Sequence, residues 1–186
     1  DVKGLLELAR AKPAQLSFAS SGNGTITHLV SEAFNKAAGI LATHVPYKTG
    51  VQALTDLASG SIAYQFDSIT WTLPQAKAGK IKALAISSLK RSDLAPDLPT
   101  LTESGVKGYD VAGWYGVVAP ANTPRPVILR LNQEIVKILN SKSVTERLVD
   151  EGTDVVGNSP EQFGAFIRTE IAKWGKVVKS TGARAE

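Results

Sequence analysis

Strand-like and helix-like stretches alternate over the first half of the chain, and this alternation is the feature that most restricts its fold. Four short, largely apolar runs are predicted as strands, at residues 15–19, 42–45, 62–66 and 83–86. Four runs with apolar residues at helical spacing are predicted as helices, at residues 2–10, 26–38, 51–58 and 69–78. This order is typical of βαβ units, so we predict an α/β fold with a mostly parallel sheet.

The second half of the chain has a different pattern, which predicts a boundary near residues 112–114. Residues 91–109 contain prolines, glycines and little periodicity, so we predict a loop with a short helix at 101–104. Residues 114–119 predict a buried strand that Pro120 stops, and residues 154–156 predict a second short strand. Helices are predicted at 124–140, 143–151 and 159–179, with N-caps at Thr123, Ser143 and Ser159.

Charge and composition exclude several classes of function. The 186 residues include 21 Lys and Arg against 17 Asp and Glu without a basic run, so we predict no nucleic-acid surface. The absence of cysteine removes disulfides and thiolate nucleophiles. With two histidines, a zinc site would need carboxylates to complete it, and we predict no metal. The chain starts at Asp1 rather than Met, which leaves processing and truncation both open.

The loop after the first predicted strand is the strongest indication of function. Ligands of open α/β sheets bind outside the carboxyl ends of the strands, which here lead into residues 20–25, 46–50, 67–70 and 87–91. Small residues let a backbone approach a ligand, and the next helix offers unpaired N–H groups and its positive dipole end. We predict an anion site on main-chain amides, although the same loop also suits a plain turn. Its residues are Ser20, Ser21, Gly22, Asn23, Gly24 and Thr25.

Four side chains beyond this loop are further candidate ligand contacts. His28, one turn into the helix, either faces the ligand or packs beneath the loop. Tyr47 either closes over the ligand or fills the surface of the domain. Asp67 either caps the next helix or accepts a hydrogen bond from a ligand or a water, and Ser68 follows it. The loop lacks the lysine of a phosphate-binding P-loop, so we predict no nucleotide cofactor.

An enzymatic function is the alternative to binding. The sequence has no Gly-x-Ser-x-Gly elbow, no His-Glu-x-x-His motif and no cysteine, so we predict no catalytic residue. A serine hydrolase acting on a small ester or amide would use Ser20 or Ser21 with His28, oriented by Asp67. A module that only docks to a membrane transporter is a third interpretation.

Taken in order, these residues resemble a known family. The shared series consists of FASSGNGT at 18–25 with His28, HVPYK at 44–48, FDS at 66–68, AGKIKALA at 78–85, WYGVVAP at 114–120 and WGKVV at 174–178. It closely resembles the Bug-type substrate-binding proteins of bacterial tripartite tricarboxylate transporters. The similarity runs from the first residues to the last helix, and its specificity lies in the combination of these motifs.

The resemblance implies a periplasmic-binding-protein-like (type II) fold, in which two lobes close around a small carboxylate. Residues 15–112 would form the second lobe, with a mixed, mostly parallel sheet. Residues 1–14 would be a hinge-proximal helix from the first lobe, and residues 113–186 a return strand and C-terminal helices of that lobe. By position, residues 21–25 resemble the carboxylate loop, Asp67 and Ser68 the facing wall, and Tyr47 a neighbour.

The resemblance also implies a location, partners and an incomplete chain. The family begins with a βα lobe that carries a Pro-Gly-Gly loop, which is missing here, so we expect a fragment with half of the ligand cleft. Apolar surface on its C-terminal helices would then be exposed and favour self-association. The implied location is the periplasm. The implied partners are a mono-, di- or tricarboxylate or an acidic amino acid, together with membrane transporter subunits.

Overall fold

A three-stranded parallel sheet organises the first of two units. The computed structural model describes residues 1–181, and its contacts separate a unit built on Asp1–Ala112 from a unit of Gly113–Trp174. In the first unit, β1 (Ser17–Ser20) lies between β2 (Thr43–Pro46) and β3 (Tyr64–Gln65). Both pairings are parallel, which confirms the predicted strand direction for three short strands.

Four helices connect or precede these strands, and their bounds lie within one residue of the predicted ones. The predicted bounds are accurate because capping residues mark where the helices begin and end. The Asp1 carboxylate accepts a hydrogen bond from the Gly4 N–H at 2.8 Å, and Gly39 ends the second helix with a φ of 64° that suits glycine. Pro74 lies inside the fourth helix. The helices are α1 (Val2–Ala11), α2 (Ile26–Ala38), α3 (Gly50–Ala58) and α4 (Ile69–Lys77).

Side chains alternate between the two faces of β1, and each face is covered. On one face, Ala19 packs with Ala53 of α3 and with Ile62 in a buried apolar cluster. On the other face, the Phe18 ring stacks on the Tyr64 ring with centroids 5.6 Å apart. Phe34 of α2 continues this second core by packing its ring edge against Tyr64. The sheet therefore packs against α3 on one face and against α2 on the other.

The fourth predicted strand, at residues 83–86, is wrong. Only Ile86 forms a parallel bridge, and its partner is Thr100 rather than the sheet. The Ile86 carbonyl accepts the Leu101 N–H at 2.9 Å, and the Ile86 N–H donates to the Pro99 carbonyl at 2.9 Å. The main-chain groups of Ile86 therefore bond to the loop at residues 99–101 and not to a strand of the sheet. The predicted helix at 101–104 is a turn, which closes with the Val106 N–H donating to the Leu101 carbonyl.

Three helices form most of the second unit, and the last of them continues beyond Trp174, where this unit ends. Ser159 caps the last of them as predicted, since its hydroxyl accepts the Gln162 N–H at 3.2 Å. The other two predicted caps are wrong, because Pro124 and Ser141 occupy the N-cap positions. No strand is assigned at residues 154–156, although one was predicted. The helices are α5 (Arg125–Leu139), α6 (Lys142–Asp150) and α7 (Pro160–Thr181).

The predicted buried strand at residues 114–119 is also wrong. This segment belongs to no described sheet, and the Tyr115 side chain is 95% exposed. Trp114 is anchored, because its indole N–H donates to the buried Glu170 carboxylate at 3.2 Å, and Gly116 packs closely against the Phe163 ring. The apolar exposure expected for this part of the chain is confirmed. The exposed large apolar side chains of the second unit are Trp114, Tyr115, Val117, Val118, Val127, Leu129, Leu131, Ile138, Val149, Val156, Phe166 and Ile171.

Candidate functional site

The carboxyl ends of the three strands lie at one edge of the sheet. Ser20 ends β1, Pro46 ends β2 and Gln65 ends β3, and all three strands run in the same direction. The loops that follow them begin at this edge, as the strand order predicted. The fourth predicted loop, at residues 87–91, follows no strand. This carboxyl edge, defined by the loops after β1, β2 and β3, is the candidate site.

The amides of the Gly-rich loop are mostly used within the protein. The predicted anion site on the amides of the loop itself is therefore wrong at four positions, and side chains of the loop and of α2 hold the loop in one conformation. Gly22 and Gly24 have φ angles of 123° and 70°, which side chains with a Cβ rarely adopt. The four amides donate as follows: Ser21 to Thr27 Oγ1 (2.9 Å), Gly22 to Ser20 Oγ (3.1 Å), Gly24 to His28 Nδ1 (3.1 Å) and Thr25 to the Gly22 carbonyl (3.4 Å).

The first turn of α2 offers the main-chain donors that the loop does not. Thr25 is the N-cap residue, yet its hydroxyl donates to the Gly22 carbonyl at 2.7 Å instead of capping the helix. The first N–H groups of a helix have no partner within it, so those of Ile26, Thr27 and His28 remain available where α2 begins, just after the end of β1. The positive end of the helix dipole coincides with them. An anion at this edge would meet α2 rather than the loop amides.

The side chain of His28 packs beneath the loop instead of facing the open edge. It is buried, and its ring stacks on the ring of His44 with centroids 3.8 Å apart and planes within 6°. The ring of His44 stacks in turn on Phe18 at 5.0 Å. Of the two interpretations given for His28, packing describes its position. His28 therefore reaches the site through Gly24, whose N–H it accepts.

Sequence reasoning missed His44, which lies within hydrogen-bonding distance of the loop. Its Nε2 atom is 2.6 Å from the Ser20 hydroxyl oxygen. The strand register contains the signal, because His44 pairs with Phe18 and so shares a face with Ser20, two residues further along β1. Burial and the neighbouring His28 lower the pKa of His44 to about 4, so its ring is neutral at neutral pH.

Tyr47 is turned toward α3. Its hydroxyl donates to Asp56 at 2.6 Å, and this bond raises the Tyr47 pKa to about 12. The ring packs beside the apolar cluster that contains Ala19. Its predicted role as a lid over the ligand remains a prediction.

Asp67 and Ser68 lie at the carboxyl edge after β3 and make local contacts. The Asp67 carboxylate accepts the Ser68 N–H and the Gln65 side-chain amide, each at 2.8 Å. Ser68, not Asp67, occupies the N-cap position of α4, which corrects the capping interpretation. Both residues are exposed, and their role as a wall that faces the carboxylate loop remains a prediction.

The Ser20–His28 pairing proposed for a hydrolase is wrong. Ser20 bonds to His44 rather than to His28, and Asp67 contacts neither histidine in the contacts just described. Only 1% of Ser20 is exposed, so its hydroxyl is out of reach of an ester substrate. Within residues 1–181, His, Asp and Glu side chains nowhere gather in the groups of three that a metal site needs. Over the same residues, every helix is too short or too polar to cross a bilayer.

Comparison with known proteins gives a consistent family match. The model of the tripartite tricarboxylate transporter family receptor matches residues 1–183. A UPF0065 protein encoded between tcbD and tcbE in Pseudomonas sp. strain P51 is 37% identical over 96% of this chain and 53% of its own length. Protein BugT of Bordetella pertussis is 34% identical over 97% of this chain and 55% of its own length. The chain thus spans about half the length of the curated relatives it matches.

Two solved structures from Rhodopseudomonas palustris share the fold of this chain. Rpa4515, solved with adipate, matches with a TM-score of 0.85 and 36% identity over 98% of this chain and 61% of its own. MatC, solved with bound malate, matches with a TM-score of 0.75 and 29% identity over 96% of this chain and 62% of its own. The periplasmic-binding-protein-like fold predicted from the sequence is therefore confirmed.

Proposed function

The chain belongs to the tripartite tricarboxylate transporter receptor family, and from this membership we propose that it serves as a periplasmic receptor that captures a small carboxylate. The uncapped first turn of α2 at the carboxyl edge carries the proposal. Two structural relatives hold adipate and malate, which are dicarboxylates, and this supports the same ligand class here. We propose no catalytic step, since the role of the site is to bind and release.

The N-terminus of α2 suits a carboxylate for electrostatic reasons. Several N–H groups converge there with the positive end of the dipole of a 13-residue helix. A hydrogen bond from an amide to a charged acceptor contributes about 1.5–3 kcal/mol, so two or three such bonds hold a carboxylate firmly. Ser21, Asn23 and Thr25 are small polar residues of the loop that leads into α2. Recognition by the backbone leaves the remainder of the ligand to be selected by other walls of the cleft.

The remaining walls come from a two-lobed arrangement in this proposal. Residues 15–112 form the second lobe, and residues 1–14 and 113–186 belong to the first. The separation of contacts after Ala112 supports a hinge near residues 112–114. Asp67, Ser68 and Tyr47, which follow β3 and β2 in the same lobe as α2, are proposed as further ligand contacts at this carboxyl edge. The loaded receptor then docks to the membrane subunits of a tripartite transporter, as the family name implies.

Isothermal titration calorimetry tests the proposal by measuring the heat of ligand binding. The protein used is the full-length natural protein that contains this sequence. Adipate, malate and citrate are titrated against matched neutral amides, adipamide foremost. We expect saturable heat with at least one carboxylate and none with its amide, because the amide lacks the charge that the helix terminus attracts. Equal binding of adipate and adipamide, or no heat with any acid, contradicts the proposed function.

A further inference from the structure

We propose that Trp71 recognises the second carboxylate of a dicarboxylate ligand through the N–H of its indole ring. The inference rests on the proposed function, in which the first carboxylate binds at the N-terminus of α2. It narrows the ligand class from carboxylates in general to dicarboxylates. Sequence reasoning did not single out Trp71, because the place of its ring depends on how two separate loops pack together.

Trp71 lies at the carboxyl edge, in the first turn of α4. This helix begins at Ile69, just after the loop that follows β3. The Ser68 carbonyl accepts the N–H groups of Trp71 at 3.1 Å and of Thr72 at 3.0 Å, and also the Thr72 hydroxyl at 3.0 Å. These bonds fix the main chain of the turn, so the indole ring projects from a defined position.

The indole ring reaches from α4 to the first residue of α3. Its Nε1 atom lies 3.9 Å from the point where a Cβ atom of Gly50 would be. Gly50 follows β2 and Trp71 follows β3, and β1 lies between these two strands. Neighbouring strands are about 4.8 Å apart, so the loops after the two outer strands are roughly 10 Å apart. We therefore expect the indole to lie within reach of a small dicarboxylate bound at the start of α2, which follows β1.

The indole N–H of Trp71 differs from those of the other two tryptophans in its hydrogen bonding. Trp114 and Trp174 both donate to the Glu170 carboxylate, at 3.2 and 2.9 Å. Within the part of the chain that the structure describes, no acceptor takes the Trp71 indole N–H. The Trp71 side chain is 40% exposed, and α4 has no buried residue, so the ring is not part of the apolar core. An indole N–H normally finds a partner once its ring is covered, and a carboxylate oxygen is the strongest acceptor that a ligand of this class offers.

A single donor at this place distinguishes ligands by what they carry at their far end. A second carboxylate accepts the indole N–H, whereas the methyl end of a monocarboxylate leaves it without an acceptor. The loss of one hydrogen bond to a charged acceptor lowers affinity by about tenfold or more. Adipate and malate, which two structural relatives hold, both carry a second carboxylate. Trp71 thus makes the site selective for dicarboxylates over monocarboxylates of equal length.

Adipate and hexanoate form the matched ligand pair, since their carbon chains have the same length and only adipate carries a second carboxylate. Isothermal titration calorimetry on the full-length natural protein that contains this sequence measures both affinities at neutral pH, where the carboxylates are ionised. Trp71→Phe keeps an aromatic ring but lacks the N–H, so we expect it to bind adipate about tenfold more weakly than the wild type. Its affinity for hexanoate should stay within about twofold of the wild-type value, because hexanoate makes no bond to the indole N–H.

Leu41→Ala is the matched control variant. Leu41 is another large apolar residue with an exposed side chain, but it precedes β2 and so lies at the opposite edge of the sheet from Trp71. Both ligands should bind Leu41→Ala as they bind the wild type. Thermal unfolding of Trp71→Phe and Leu41→Ala confirms that each variant is folded.

¹H–¹⁵N NMR of the same full-length protein with ¹⁵N-labelled tryptophan observes the indole N–H directly. The indole signal that disappears in Trp71→Phe belongs to Trp71. We expect adipate to shift this signal in the direction of a hydrogen-bonded N–H, and hexanoate to shift it less. Equal losses of adipate and hexanoate affinity in Trp71→Phe, or a Trp71 signal that adipate leaves in place, overturn the role of Trp71 while the proposed function stands. Failure of every carboxylate to bind the wild type contradicts the proposed function and this inference together.

Discussion

Replacement of Ile26 by proline removes one candidate ligand donor while leaving the helix intact. Ile26 is the first residue of α2, a position where proline is well tolerated because its N–H has no intrahelical partner. Thr25 already has φ −71° and ψ 163°, the extended geometry that a residue before proline prefers. Ile26 is also 53% exposed, so loss of its side chain costs little packing. The substitution is therefore a deletion of one hydrogen-bond donor.

The expected loss of carboxylate affinity can be worked out from that donor. A hydrogen bond to a charged acceptor is worth about 1.5–3 kcal/mol, which corresponds to a dissociation constant about 10- to 150-fold higher. Stability should stay within about 1 kcal/mol of the wild type, since proline at a compatible position restricts the unfolded chain. Ile26→Ala, which keeps the N–H, is the matched control and should bind normally.

Calorimetry with the best carboxylate, alongside urea unfolding of both variants, measures the two quantities. Wild-type affinity in Ile26→Pro would refute the assignment of the anion to the first turn of α2. An equal loss in Ile26→Ala would show that the side chain matters rather than the amide. A large loss of stability in Ile26→Pro alone would contradict the helix-start geometry from which the argument proceeds.

Three further substitutions test the fold and surfaces of the two units. Phe34→Ala should destabilise the protein by about 3–5 kcal/mol in urea unfolding, because the ring is 1% exposed and its loss leaves a cavity; a loss below about 1 kcal/mol would contradict its core position. The Glu103 pKa is lowered because its carboxylate accepts the Thr100 N–H and pairs with Arg91, so its stabilisation is present above the unfolded pKa and lost as the pH falls through the lower, folded value. Unfolding measured from pH 6 to 3 should thus show a shallower acid loss in Glu103→Gln, and parallel curves would exclude the contact. Val118→Ser removes an apolar side chain that is 77% exposed and should reduce self-association in sedimentation velocity, whereas an unchanged association would place the contact elsewhere.

The helices of the first unit were predictable because local chemistry determines where they begin and end. α2 has the predicted bounds, since its apolar period and Gly39 at its end agree with each other. Strand ends were less accurate, because the length of a strand depends on which neighbours pair with it. β3 keeps only Tyr64 and Gln65 of a predicted five-residue run, and β1 supplies its only described partner.

Residues 114–119 show where an apolar run misleads. The sequence of this segment is typical of a buried strand, yet a strand needs an adjacent strand to pair with its N–H and C=O groups. None is assigned to it within residues 1–181, and Tyr115 and Val118 are exposed. The pattern of apolar residues indicates that a segment is suited to a buried strand. Whether the segment is buried depends on a neighbouring strand, which its own sequence does not specify.

The binding loop shows the same distinction at the scale of single hydrogen bonds. Residue types predicted correctly that the chain after β1 would turn sharply, with glycines at Gly22 and Gly24. They could not tell which acceptors would take up the loop amides, because the competing groups come from α2 and, through His44, from β2. A glycine-rich loop before a helix therefore has two ways to serve an anion: with its own amides, or as a rigid turn that leaves the helix terminus uncapped. The internal bonds of this loop favour the second, and this is why a donor deletion at Ile26 should affect capture more than any side-chain change within the loop.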